Sequence, residues 1–192
     1  MPLADYPRIT SKSRKAWRFW LQKHHASSTG IWLVFAKKHS KLPTVSYNDA
    51  VEEALCFGWI DGLMNPLDET YYMQLFTPRK PKSGWAASNK KRVAKLIEAG
   101  LMTEAGMKLI ELAKKTGTWT ALDAVEAMTM PDDFLGALKK TAVAKKGFDA
   151  YSPSVKKQCL YYINDAKRPE TRARRIALLV EKAAAGRKPG EN

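Results

Sequence analysis

Residues Ile31–Ala36 read Ile-Trp-Leu-Val-Phe-Ala, a continuous apolar run that stops at two lysines. Six apolar residues are too few for a typical helix, and such a run is typical of a buried strand. Further along, Trp59–Gly62 and the aromatic-rich Tyr71–Phe76 predict two more strands. Because the three strands lie close together in sequence, they favour a small antiparallel sheet.

Helix signals surround and follow these strands. Residues 11–25 carry an apolar stripe, and Ser46 with Asp49 resembles a capping box that opens a second helix. Beyond Pro78, helix-starting and helix-ending residues dominate the chain. We therefore predict an α+β fold. It comprises a small antiparallel sheet with helices over 1–80, an all-helical part over 84–187 packed against it, and a flexible tail at 188–192.

Composition indicates a folded cytoplasmic protein. Of the 192 residues, 45% are hydrophobic, which is enough to form a core. The two cysteines, Cys56 and Cys159, are far apart and form no disulfide framework. No apolar run is long enough to span a bilayer, and Met1–Asp5 does not resemble the start of an export signal. We expect free thiols and a cytoplasmic location.

Positive charge is concentrated in two segments. The chain has 33 basic and 19 acidic residues, a net charge of +14. Residues 77–95 carry seven basic residues and no acid, and residues 167–175 carry five basic residues and one acid. The two segments together therefore hold a net +11 of the +14. Such clustering predicts a surface that attracts anions.

Polar residues in the first segment fall among apolar ones. On a helical wheel, Asn89 and Arg92 share a side with Trp85. They either bond the carbonyls of a neighbouring loop or line a cleft that faces an anion. Asp61, near Arg79, either orients a ligand or pairs with one of the two arginines.

The second segment shows a similar arrangement. Arg172 lies on the apolar stripe of the last helix, with Arg168 and Arg175 at its edge. Free amides at a helix N-terminus favour an anion site there. An internal ion-pair network, with Glu170 pairing Arg174, is an equally good interpretation.

No motif for a metal, a nucleotide cofactor or a catalytic triad is present, so we expect no cofactor and no metal. Cys56 lies nearly opposite the apolar face of its predicted helix, which makes an accessible thiol conceivable. Nearby carboxylates would oppose thiolate formation, so a structural role is favoured over a nucleophile.

Several stretches resemble the bacterial YdeI/OmpD-associated family. They are Ala54–Gly62, Phe76–Arg79, Ser83–Trp85 with Asn89, and the C-terminal signature within 131–187, most clearly Ala166–Ile176. The resemblance extends over nearly the whole chain. It implies a bacteriocin-protection protein, linked by the family label to a porin and to tolerance of cationic antimicrobial peptides.

These observations predict a non-enzymatic basic protein that binds an anionic partner. Nucleic acid is one candidate partner, and an acidic protein or a phosphorylated small molecule are alternatives. The rival hypothesis is a small-molecule enzyme or ligand binder with a cleft around Asp61, Arg79, Trp85 and Asn89. A third is an envelope-stress protein acting through an acidic protein. The candidate binding residues are Asp61, Arg79, Lys80, Trp85, Asn89, Arg92, Arg168, Arg172 and Arg175.

Overall fold

The computed structural model describes residues 6–191, and its backbone divides into unit 1, Met1–Ala121, and unit 2, Leu122–Asn192. The sequence predicts a boundary near residue 80, where strands give way to helices. The two compact units instead meet at Ala121 and Leu122, because the helices of residues 87–116 group with the sheet in unit 1. No helix within residues 6–191 is long and apolar enough to cross a membrane.

A four-stranded sheet forms the base of unit 1. Its strands are β1 (Arg8–Thr10), β2 (Ile31–Ala36), β3 (Trp59–Pro66) and β4 (Tyr71–Pro78). Their order is β1-β2-β4-β3, with β4 antiparallel to both β2 and β3, and β1 parallel to β2. The α+β class and the three predicted strands are confirmed. Strand β1 has no sequence signal, because three residues offer no periodicity to detect.

Within the described part of unit 1, four α-helices accompany the sheet. They are α1 (Arg14–His24), α2 (Tyr47–Cys56), α3 (Ala87–Glu98) and α4 (Glu104–Thr116). The Ser46 hydroxyl caps α2 as predicted, accepting from the backbone N–H of Asp49 at 3.1 Å. Helix α3 follows Ala86, which has no side-chain group to cap it.

The main core of unit 1 lies between one face of the sheet and the helices. Trp17 of α1 packs edge-to-face on Phe76 of β4, with ring centres 5.6 Å apart. Its indole N–H donates to the carbonyl of Ala50 at 3.0 Å, so the buried ring has no unmet donor. Because side chains alternate along a strand, Trp32 and Leu75 belong to a second buried cluster on the other face.

A buried carboxylate ties α1 to α2. Glu53, whose side chain is 3% exposed, accepts from Arg14 Nε and Arg18 Nη1, each at 2.6 Å. Asp49 and Glu52 also reach Arg14, at 3.0 and 2.9 Å. These charge-assisted bonds fix the register of the two helices.

Helix α4 packs closely on the end of α2. A Cβ on Gly106 would lie 2.4 Å from the carbonyl oxygen of Cys56, and Thr103 Oγ1 donates to that oxygen at 2.6 Å. Cys56 is fully buried. The accessible thiol that the helical wheel left open is therefore absent, and the burial agrees with the favoured structural role. A helical wheel of α2 cannot show that α4 packs against this end.

The described residues of unit 2 form helices joined by short connections, with no strand among them. Its helices are α5 (Asp123–Glu126), α6 (Asp132–Lys139), α7 (Ala142–Asp149), α8 (Pro153–Asn164) and α9 (Pro169–Ala184). Phe134 and Phe148 meet edge-to-face at 5.2 Å in its core. Helices α7 and α9 approach so closely that a Cβ on Gly147 would lie 1.9 Å from the carbonyl oxygen of Ala183.

The end of the chain folds back onto unit 2. The Tyr151 hydroxyl donates to the carbonyl of Arg187, and Glu191 accepts from the backbone N–H of Lys188 at 2.8 Å. Of the predicted flexible tail, 188–192, only Asn192 lies outside the described residues. Met1–Asp5, on which the export-signal prediction rests, also lie outside them.

Candidate functional site

Arg79 is a buried cation at the end of β4. Its backbone N–H donates to the carbonyl of Gly58 at 2.9 Å, which holds the residue beside the α2–β3 turn. The residue is only 6% exposed. Its Nη2 donates to the carbonyl of Gly84, and its Nε is buried without a hydrogen-bond acceptor among residues 6–191. The side chain is therefore only partly satisfied.

An aromatic floor supports the Arg79 guanidinium. Its Cζ lies 3.9 Å from the centre of the Trp85 ring, within the range of a cation–π contact. Trp85 is buried and packs on Trp119, with ring centres 5.0 Å apart. Trp119 thus supports the ring on which the Arg79 guanidinium lies.

The electrostatic environment of Arg79 is unusual for an arginine. Burial lowers its pKa to about 10, and the negative charge of nearby Asp61 only partly opposes that effect. Neither Arg79 nor Arg92 forms an ion pair with a carboxylate in the described part of the chain. Buried charges in proteins are normally paired, so Arg79 departs from the general pattern.

The second guanidinium, that of Arg92, is held by amides. Its Nη2 donates to Asn48 Oδ1 at 3.0 Å, and its Nη1 lies 3.4 Å from Asn89 Oδ1. The predicted pair Asn89 and Arg92 is thus brought together on the first turns of α3. Asn48 was missed by sequence reasoning, because its role depends on α2 and α3 packing side by side.

Asp61 faces the start of α2. Its Oδ2 accepts from the Tyr47 hydroxyl at 2.7 Å. Burial, reinforced by the bond to Asp61, raises the pKa of Tyr47 to about 12, so this hydroxyl stays protonated. A register shift in β3 falls between Asp61 and Met64, and buried Gln74 satisfies the Gly62 carbonyl there at 2.7 Å. Such irregularities re-aim side chains, and this one adjoins Asp61.

These residues form what we call the Arg79 site, defined by Tyr47, Asn48, Asp61, Arg79, Trp85, Asn89 and Arg92. Hydrogen bonds, a cation–π contact or electrostatic interactions link Asp61 to Tyr47 and Arg79, Arg79 to Trp85, and Arg92 to both asparagines. The uncapped N-terminus of α3 adds free backbone amides between Trp85 and Asn89. Lys80, the remaining candidate of this segment, is exposed.

In the second basic segment, Arg172 and Arg175 have partners within unit 2. Arg172 binds Asp133 through Nε at 2.6 Å and Nη2 at 2.9 Å, and this guanidinium lowers the pKa of Asp133. Arg175 donates to the carbonyl of Tyr162 at 2.6 Å and lies 3.5 Å from Asp165. Arg168 is the exposed N-cap residue of α9. The arrangement matches an internal network, although its acidic partners are Asp133 and Asp165 rather than Glu170.

The two cysteines and the metal-ligating side chains offer no second site among residues 6–191. Cys56 and Cys159 are buried and unpaired, and burial raises the pKa of each thiol to about 11. Within residues 6–191, no three side chains of the usual metal-ligating types come together. The described structure therefore leaves the Arg79 site as the arrangement with chemistry to explain.

Two family models match the chain. Residues 9–109, more than half of its length, match a domain of unknown function, DUF8412. Residues 127–186 match the family described as Bacteriocin-protection, YdeI or OmpD-Associated, which confirms the predicted resemblance over that stretch. The motifs from Ala54 to Asn89 lie in the first match. No curated protein and no solved structure matches the chain. The chain belongs to the DUF8412 family and carries a YdeI/OmpD-associated domain at 127–186.

Proposed function

We propose that this protein is a non-enzymatic binding protein whose unit 1 takes a small anionic ligand at the Arg79 site. The observation that carries the proposal is a buried guanidinium without an anionic partner. Arg79 is stacked on Trp85 and bonded to one carbonyl, and its Nε has no acceptor among residues 6–191. A carboxylate or phosphate group would supply both the missing charge and the missing acceptor.

Keeping Arg79 buried and charged costs folding free energy. Burial lowers its pKa from the ordinary value to about 10. A shift of that size corresponds to a penalty on the order of 3 kcal/mol for keeping the side chain charged. Binding sites often keep locally unfavourable groups in place for function, and a bound anion would offset the cost of this charge.

The neighbouring groups support an anion in the same place. The first turn of α3 offers backbone N–H groups, and the positive end of its dipole lies beside Trp85. Arg92 has only amide partners in the described part of the chain, so its charge is also available. The backbone amides of α3 and the Arg92 guanidinium therefore add hydrogen-bond donors to that of Arg79, and neither brings a carboxylate with it.

Nucleic acid is a second candidate partner, favoured by the seven basic residues and no acid of residues 77–95. Against an extended phosphate-binding surface, Arg172 and Arg175 already have carboxylate partners in unit 2. Salt dependence separates the two candidates. Phosphate-backbone binding loses several orders of magnitude in affinity as salt rises, whereas a site for one small anion responds far less.

The location and the physiological role belong to the same proposal. Both cysteines are unpaired, which suits the reducing cytoplasm. The name of the matched C-terminal family links that family to bacteriocin protection. We infer that ligand binding at Arg79 supports tolerance of cationic antimicrobial peptides. A strain lacking the protein, complemented with wild type or Arg79→Met, should then differ in the peptide concentration that stops growth.

The binding test uses tryptophan fluorescence, because an anion bound to Arg79 changes the surroundings of Trp85, one of the six tryptophans of the chain. The probes are inorganic phosphate, succinate and a short single-stranded oligonucleotide, each titrated at low and moderate salt. We expect saturable binding of at least one small anion that Arg79→Met weakens by about tenfold or more. The control Arg174→Met removes an exposed charge from unit 2 and should leave binding unchanged. Equal binding by wild type and Arg79→Met would refute the proposal.

A further inference from the structure

The Arg79 site contains a carboxylate that a plain anion site would not need. Asp61 is close enough to Arg79 to interact with it electrostatically, yet forms no ion pair within residues 6–191. A carboxylate beside a bound anion repels it, which lowers affinity for any ligand that is only an anion. Such a residue contributes favourably only when the ligand offers it a positive or hydrogen-bonding group.

The two oxygens of Asp61 have different surroundings. Oδ2 accepts from the Tyr47 hydroxyl at 2.7 Å, and the Asp61 side chain has no other hydrogen bond in the described part of the chain. Tyr47 packs on Phe35, with ring centres 6.5 Å apart, and this contact steadies the hydroxyl. The tyrosine therefore orients the carboxylate and leaves Oδ1 able to accept from a ligand.

We propose that the ligand is a small anion that also carries an amino or hydroxyl group, with Arg79 binding the anionic group and Asp61 accepting from the donor. This inference rests on the proposed function. Arg79, Arg92 and Asp61 together carry one net positive charge, so a ligand with two anionic groups and one ammonium group is complementary to them. Asn48 and Asn89 turn their oxygens to Arg92, which leaves their NH₂ groups as additional donors.

The test compares ligands that differ in one substituent. Succinate, malate and aspartate share a four-carbon dicarboxylate skeleton and carry hydrogen, hydroxyl or ammonium at the second carbon. Ethyl phosphate and phosphoethanolamine form a second pair with and without the donor. In at least one series, the member with the donor should bind wild type about tenfold tighter than the member without it, because a site that provides a hydrogen-bonding partner rejects the analogue that lacks it.

The Asp61→Asn variant identifies the group that accepts from the donor. Asparagine keeps an oxygen for Tyr47 but loses the negative charge, so the advantage of the ammonium compounds should fall to less than about threefold. A wild type that binds both members of each pair equally would overturn the inference. An advantage that persists undiminished in Asp61→Asn would also overturn it. In either case, binding that Arg79→Met abolishes would keep the proposed function intact, whereas binding of no member in either series would remove both.

Discussion

The guanidinium carbon of Arg79 lies 3.9 Å from the centre of the Trp85 ring, and no carboxylate in residues 6–191 pairs with that arginine. An arginine stacked on an indole is common, but one that is 6% exposed and lacks an anionic partner is not. The stack fixes the position of the charge and the burial leaves it uncompensated. Together they explain why we assign the binding site to this end of β4.

Replacing Arg79 with methionine should leave stability almost unchanged. The variant loses the stack and the bond to Gly84, but it also loses an unpaired buried charge. Because burial lowers the folded-state pKa, the unfolded chain binds this proton more tightly, and the charge destabilises the fold at every pH below about 10. We expect the free energy of unfolding in urea at pH 7 to stay within about 1 kcal/mol of wild type. A loss above about 3 kcal/mol would indicate a structural role instead.

Anion binding should weaken as pH rises through the pKa of Arg79. That pKa is about 10 in the unliganded protein, so the side chain is charged at pH 8 and loses its proton at higher pH. Only the charged form attracts an anion, and the dissociation constant should therefore rise by about tenfold between pH 9 and pH 11. Fluorescence titrations across this range measure the effect, with circular dichroism checking that the fold persists. A constant affinity up to pH 11 would argue against Arg79 as the binding group.

Neither cysteine should react in the native protein. Burial raises the pKa of Cys56 and of Cys159 to about 11, so about one thiol in a thousand is ionised at pH 8 even where reagent can reach it. A thiol-specific chromogenic reagent should detect no fast reaction at pH 8, and two thiols after unfolding in guanidinium. If one thiol reacts at once in the native state, the buried position of Cys56 or of Cys159 is wrong, and replacing each cysteine with serine in turn identifies which.

Two glycines in unit 2 should respond oppositely to alanine. A Cβ on Gly147 would lie 1.9 Å from the backbone oxygen of Ala183, so Gly147→Ala must push α7 away from α9. We expect a loss of about 1–3 kcal/mol in the free energy of unfolding. Gly136 sits inside α6, and apart from its chain neighbours and the backbone of α6 no atom lies within 4 Å of the added methyl group. Gly136→Ala should therefore gain about 0.5–1 kcal/mol from helix propensity. Equal effects at the two positions would contradict the packing of α7 on α9.

Local patterns were enough to predict the main elements of the fold. The apolar run of Ile31–Ala36 forms β2 over the same residues, and the Ser46 signal marks the start of α2. Both signals lie within a few consecutive residues, so no knowledge of tertiary packing is needed. The parallel partner β1 was missed because three residues around Ile9 become a strand only through pairing with β2.

The candidate site was predictable only in part. Asp61, Arg79, Trp85 and Asn89 attract attention in the sequence as polar or aromatic residues near apolar ones. Their partners do not, because Tyr47 meets Asp61 and Asn48 meets Arg92 across 14 and 44 residues of chain. For the same reason, the sequence could not show that Arg172 is paired with Asp133, 39 residues away. Charge clustering alone therefore overstated how much of the second segment is available to a partner.

The most direct test follows the Arg79 Nε–H group itself. In ¹⁵N-labelled protein, its resonance is the one that disappears in Arg79→Met, and it can be followed during titration with inorganic phosphate and with aspartate. Our account predicts a saturable shift for at least one of these anions, with the dissociation constant obtained by fluorescence. The Arg172 Nε–H, already bonded to Asp133, should not move. An Arg79 resonance that stays still while the anion binds elsewhere, or no binding at all, would contradict the account.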